Sequence, residues 1–152
     1  VEGLYACGEA TGGMHGADRI GGLSSANGIV FGRIAGASAA RAALDTPKAA
    51  APADTALPQH GIATVDAERL TRSLKHTMST YCMIDRTDPG LSEALQELKS
   101  LQDEATSLHK PHGNDSEIAA LARLQSQIQL AAEMVKAMRK RTESLGSHYR
   151  AD

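Results

Sequence analysis

Past residue 64 the apolar positions recur in steps of three and four, the stripe left by helices that pack on one another. A first helix is expected over about Val65–Ile84, with Leu70, Leu74, Thr77/Met78 and Tyr81 on one face. A second, over about Pro89–His109, places proline in its first turn and repeats Leu91, Leu95, Leu98, Gln102, Ala105 and Leu108. A third, over about Asp115–Glu143, repeats Ile118, Leu121, Gln125, Ile128, Ala132, Val135 and Met138. The turns at 85–88 and 110–114 are short, so successive helices should lie antiparallel. Together they predict a three-helix bundle over residues 65–152, with no internal repeat.

The first 45 residues follow a different pattern. VEGLYAC, residues 1–7, has the character of a short buried strand, centred on Leu4–Cys7. A lone strand cannot satisfy its own backbone, so the chain is expected to begin inside a larger domain. Gly8, Gly12, Gly13, Gly16, Gly21 and Gly22 make the next stretch a loop. A helix should follow from Ser24 and Ser25 to about Ala43, its free N–H groups turned back toward that loop. Glycine inside a helix costs about 1 kcal/mol relative to alanine. Gly28, Gly32 and Gly36 nevertheless line one face, which implies that something approaches it closely. Residues 46–64, broken by Pro47, Pro52 and Pro58, are expected to form a linker.

Composition narrows the function classes. Aromatic residues make up only 3% of the chain, and much of its apolar content is alanine, which suits closely packed helices. A net charge of −2 gives no electrostatic basis for binding nucleic acid or an anionic membrane. The small-residue run from Gly28 to Ala43 is interrupted by Arg33 and Arg41 and is a poor membrane span. Cys7 and Cys82 fit no metal spacing and read as unpaired thiols of a reducing, cytoplasmic compartment, with a disulfide as the less favoured alternative. His76, His109 and His112 likewise have no ligand spacing, and no metal site is expected.

The run GLYACGEATGGMHGADRIGGLSSANGIVFGRIAG, from Gly3 to Gly36, resembles a segment of the succinate dehydrogenase and fumarate reductase flavoproteins. That family, which includes L-aspartate oxidase, carries GLYAxGE…HGANRLGGN and then a small-residue helix ending FGRxAG. The last residues, RTESLGSHYRAD, resemble the family's terminal RxESRGxHxRxD, and the helices between resemble its C-terminal helical domain. The resemblance implies a mainly α chain: the C-terminal piece of an FAD-binding α/β domain (short strand, glycine loop, helix; residues 1–45), then the three-helix domain. It also implies FAD as cofactor. Gly8 and Glu9 match the dipeptide whose carboxylate bonds the ribityl chain, and Ser24 and Ser25 match helix-start residues whose amides face the flavin pyrimidine edge. Arg19 matches the arginine that holds a substrate carboxylate, a task suited to a bidentate guanidinium.

Three positions depart from the family pattern. Asp18 stands in place of asparagine and could pair with Arg19. Leu23 replaces a common asparagine near the flavin, and Leu145 replaces the arginine of ESRG. No G-x-G-x-x-G follows a strand, so the pyrophosphate-binding turn is missing, and so is the family's capping domain. No catalytic residue is assigned, and the chain alone is expected to be inactive. The implied partners are the upstream FAD-binding and capping domains, a dicarboxylate substrate and an iron–sulfur subunit, through which the protein could be membrane-associated.

Each site residue also has a plainer reading. Glu9 could be an ordinary loop acid, Ser24 and Ser25 mere helix caps, and Arg19 a structural partner of Asp18. His15 fits a hydrogen-bonded structural histidine, and the basic run Lys136, Arg139, Lys140 and Arg141 a solvated helix end. The expected function is the C-terminal portion of an FAD-dependent oxidoreductase of the fumarate reductase and succinate dehydrogenase type. The alternative is a non-catalytic helical module that docks on a partner subunit.

Overall fold

The computed structural model describes residues 3–46 and 59–152, which fall into two compact units on either side of the 47–58 stretch. Most of the stretch read as a linker therefore lies outside the described residues, as do Val1 and Glu2 of the expected strand.

The first unit holds a single 3₁₀ turn at Gly8–Ala10 and one long helix, α1, over Leu23–Asp45. The strand expected over Leu4–Cys7 is not formed. The Cys7 backbone is extended, with φ −153° and ψ 168°, but no neighbouring strand among the described residues offers a ladder. An extended segment without a partner stays outside regular structure. The helix begins one residue before Ser24 and runs two beyond Ala43. Its residues are largely apolar, yet Asn27 is the one side chain it buries.

The second unit is the expected bundle: α2 over Thr64–Tyr81, α3 over Asp88–Ser107 and α4 over Asp115–Lys140. Each helix packs on both others. Leu70, Leu74, Leu91, Leu98, Leu101, Leu121, Leu124, Ile128 and Val135 meet in the core, which Ile62 completes from outside the helices. The predicted stripes hold, but each is wider than its three-and-four spacing conveys. Ala94 and Leu101 on α3, and Leu124 and Ala131 on α4, are buried beside them, as a helix covered by two neighbours requires. Gln102 and Gln125 sit at the edge of the stripe, half-buried, where an amide keeps access to water.

Local chemistry sets the helix starts. Thr87 accepts the Gly90 N–H at 3.2 Å with Pro89 behind it, and Asn114 and Glu117 form a reciprocal capping box at α4. The ends fall a few residues short of expectation, at Tyr81, Ser107 and Lys140. Between α3 and α4 the chain makes a close backbone approach to the segment preceding α2. Gly61 and Lys110 exchange both backbone bonds, at 3.0 and 2.8 Å, and Gly113 donates to Gln59 at 2.9 Å. A Cβ on Gly113 would lie 2.8 Å from Gly61 Cα, so the two glycines form the contact because neither has a side chain. None of the described helices is long and apolar enough to cross a membrane.

Gly113→Ala should therefore lower the stability of the bundle by about 1–3 kcal/mol, since the obstructing atoms are backbone and cannot rotate away. A urea midpoint equal to that of the parent chain would show that the contact yields freely.

Candidate functional site

The residues singled out by motif all fall in the first unit, around the start of α1. Gly8 takes φ +66°, and the turn it opens is closed by Thr11, whose N–H and hydroxyl both donate to the Gly8 carbonyl, at 3.0 and 2.7 Å. This turn lies on the glycine face of the helix. A Cβ on Gly8 would meet Gly28 Cα at 3.5 Å, and one on Gly32 would meet Cys7 Sγ at 3.7 Å. These are ordinary van der Waals distances, and a Cβ on Gly28 or Gly36 would meet nothing within 4 Å among the described residues. Glu9, at the middle of the turn, is exposed and makes no hydrogen bond among the described residues.

Gly22, with φ +88°, stands at the cap position of α1, so no side chain caps the helix, and its first turn carries no acidic residue. Ser24 and Ser25 occupy the second and third helical positions, where backbone N–H groups have no partner within the helix. The start of α1 is therefore electropositive and has no side-chain cap, its Leu23 N–H alone donating, at 3.3 Å, to the Ile20 carbonyl among the described residues.

Residues 12–22 cross over this end without regular hydrogen bonding. Asp18 and Arg19 do not form the side-chain ion pair that was one reading of the sequence. Asp18 instead accepts the backbone N–H of Arg19 at 2.7 Å, and the guanidinium is exposed with no partner among the described residues. His15 is half-buried, and its Nε2 lies 2.9 Å from Asn27 Nδ2. The hollow around this pair, about 320 Å³, is otherwise lined by Met14, Leu23, Ala26, Val30 and Phe31.

The terminal motif, in the second unit, ties helix ends together. Arg150, whose side chain is 5% exposed, binds Asp152 through Nε at 2.9 Å and Nη2 at 3.1 Å. Its Nη1 donates to the Arg141 carbonyl just past α4. Asp152 also accepts the first N–H of α3, from Asp88, at 2.6 Å. The Asp88 carboxylate in turn takes Nε and Nη2 of Arg139. His148 Nε2 donates to the Arg141 carbonyl at 2.9 Å, which leaves Nδ1 to accept Arg86 Nη1 at 3.2 Å. The Arg139 guanidinium holds the Asp88 carboxyl below the usual range, and Arg150, then the Asp88 N–H, do the same for Asp152. Leu145 is half-exposed in a tight turn in which it and His148 exchange both backbone bonds. Among the described residues no group of three or more His, Cys, Asp or Glu is placed to hold a metal.

Residues 71–152 match the family model described as the fumarate reductase flavoprotein C-terminal domain. The chain belongs to that family. Along its whole length it is similar to an uncharacterized FAD-dependent oxidoreductase of Methanocaldococcus jannaschii, 33% identical over 158 residues. It is also similar, at 29%, to a chain of the fumarate reductase (CoM/CoB) of Methanothermobacter marburgensis, and, at 31%, to the fumarate reductase flavoprotein subunit of Mycobacterium tuberculosis. In each case the chain spans about 29% of the relative's own length.

Within this flavoprotein family setting, the structure keeps Gly8, Glu9, Ser24, Ser25 and Arg19 in one small unit, with the turn and the uncapped helix start in direct register through Gly28. It makes no direct bond between Glu9 and Arg19. Asn27 was missed by the sequence reading. Its signal was weak: a single amide among small and apolar residues, one helical turn past the serines.

The terminal knot yields two expectations. Arg150→Ala should destabilise the bundle by about 1.5–3 kcal/mol, the range for losing hydrogen bonds to a charged group. Because the carboxyls of Asp88 and Asp152 are depressed, their contribution is complete above the ordinary aspartate value of about 3.9 and is lost as pH falls through their lower folded values. Circular dichroism melts below about pH 4 should show that loss in the parent chain and a flatter acid limb in Asp152→Asn. Equal acid limbs would exclude the carboxylate as the cause.

Proposed function

We propose that this chain is the C-terminal portion of an FAD-dependent oxidoreductase of the fumarate reductase and succinate dehydrogenase type. Residues 1–45 would supply one side of the flavin and substrate site, residues 46–64 a linker, and residues 65–152 a helical domain. The observation that carries the reading is that the Gly8–Ala10 turn packs on α1 at Gly28, in a helix whose start has no side-chain cap. The exposed carboxylate of Glu9 and the unmet amides of Ser24 and Ser25 suit a ligand with hydroxyl donors on one part and an electron-rich heterocycle on another. FAD is such a ligand, and the names of the relatives point to it.

In this reading Glu9 accepts bonds from the ribityl hydroxyls, and Gly8 lets the backbone approach without a side chain in the way. The N–H groups of Ser24 and Ser25 favour negative charge at the pyrimidine edge, helped by the absence of acid in the first turn of α1. The flavin, when bound, supplies the hydride chemistry. The exposed guanidinium of Arg19 clamps one carboxylate of a dicarboxylate, so that its reacting carbon is held in one orientation. The parent enzyme would interconvert a saturated and an unsaturated dicarboxylate, or oxidise an amino-dicarboxylate. The apolar surface of α1 agrees with burial in a larger cytoplasmic flavoprotein: Ile29 is 75% exposed and Leu44 86%.

A second reading has its own support. The bundle has a complete core within residues 59–152 and could fold and dock on a partner such as an iron–sulfur subunit without any flavin contact.

Two measurements separate the readings. In the full-length flavoprotein, Arg19→Lys should lower turnover by about 10²-fold or more while flavin stays bound, because an ammonium cannot reproduce the bidentate clamp. Near-normal turnover would remove Arg19 from the substrate site. Amide exchange should show residues 3–46 protected in a flavin-dependent manner. Protection confined to the bundle would favour the docking module.

A further inference from the structure

The pair His15 and Asn27 is not used by the reading above, and its energetics are unusual. Asn27 is 8% exposed and is the one side chain that α1 buries. Its Nδ2 reaches His15 Nε2 at 2.9 Å, but its Oδ1 is fully shielded and has no partner. A buried acceptor left unmet costs about 1–3 kcal/mol. The surrounding side chains are Met14, Leu23, Ala26, Val30 and Phe31, none of them polar. A leucine at position 27 would suit that lining and the helix better. Stability therefore does not account for the amide.

What the amide holds is the loop. Residues 12–22 contain five glycines, and Gly13, Gly16 and Gly22 have positive φ. Among the described residues, two hydrogen bonds tie this stretch to α1. One is the long 3.3 Å bond from Leu23 N–H to the Ile20 carbonyl at the helix start, and the other is His15 to Asn27. The Asp18–Arg19 bond is internal to the loop. Arg19 lies four residues beyond His15 and extends from this tether. A glycine-rich segment held at so few points gains most of its order from each of them.

We propose that His15 and Asn27 are a positioning pair for the Arg19 loop: the amide fixes the imidazole, and so fixes where the guanidinium meets a carboxylate. The role at the carboxylate rests on the substrate reading given above; the anchor itself does not. The chemistry specifies a proton arrangement. An amide N–H donating to Nε2 requires a neutral ring with its proton on Nδ1.

The first test is the state of the ring in the flavin-loaded full-length flavoprotein, read from histidine ¹⁵N shifts at about pH 8.5, where an imidazole is neutral. His15 should show a protonated Nδ1 and a bare Nε2, unlike the tautomer mixture of exposed His112. Asn27→Leu should return His15 to the mixture. Asn27→Asp should reverse the ring, because a carboxylate accepts and so draws the proton to Nε2. A ring in the mixed state in the parent chain, or one unmoved by either substitution, overturns the anchor.

The second test uses the full-length flavoprotein. Asn27→Leu should raise KM for the dicarboxylate by about ten- to a hundredfold with kcat less affected, and Asn27→Asp should recover most of that loss. The melting temperature of Asn27→Leu should equal or exceed that of the parent. An unchanged KM, or a loss of KM and stability together that Asn27→Asp does not recover, overturns the positioning role. A parent flavoprotein with no saturable dicarboxylate site overturns the substrate reading and Arg19's part in it, while the ring spectra decide the anchor independently.

Discussion

The first N–H groups of any α-helix have no partner within it, and the way each start is met distinguishes the two units of this protein. In the bundle two of the three starts are capped by side chains. Thr87 and the Asp152 carboxylate serve α3 and the Asn114–Glu117 box serves α4, while α2 has no side-chain cap but carries Asp66 in its first turn. At α1 the cap residue is glycine, the first turn has no acid, and no side chain turns back. The Arg19 loop leads directly into that start, and the Gly8–Ala10 turn packs further along the helix, at Gly28. A bare positive helix end beside an exposed acceptor and an exposed guanidinium is poor local energetics and good ligand chemistry.

The same contrast runs through the packing. The bundle closes its own core and ties its ends with Arg150, whose guanidinium satisfies a carbonyl past α4 while gripping the carboxylate that caps α3. One short tail thus joins a negative helix end to a positive one, with His148 fixed between Arg86 and the Arg141 carbonyl. The first unit has almost no interior. Its contacts are the packing of residues 7 and 8 on the glycine face of α1 and a single buried amide. Such a unit is shaped by what it lies against more than by what it contains.

Much of this was legible in residue order, because helical periodicity is a local signal. Leu70, Leu98, Leu121 and Val135 announced the bundle, and Pro89 marked the start of its second helix. The burial of Ala94, Leu101, Leu124 and Ala131 was harder to see, since it depends on each helix having two neighbours. The strand over Leu4–Cys7 had the right composition, but a strand exists only as part of a ladder, which composition cannot supply. Gly8, Glu9, Ser24, Ser25 and Arg19 were singled out through motif, and the structure keeps all five in the first unit. Asn27 was invisible for a physical reason: its meaning lies in the unmet oxygen and in a partner twelve residues away.

The three departures from the family pattern look different once their surroundings are known. Asp18 threatened to neutralise Arg19, yet its carboxylate is engaged by the Arg19 backbone N–H, which leaves the guanidinium uncovered and stiffens the loop beneath it. Leu23 removes a polar side chain at the first helical position but adds to the apolar lining around His15 and Asn27. Leu145 lacks the arginine's charge, but the turn it occupies is held by paired backbone bonds to His148 and by Arg141 Nη2 on its own carbonyl. None of the three substitutions opens the architecture around it. They move charge and polarity at its edges, which is where a change of ligand or partner can be accommodated without a change of fold.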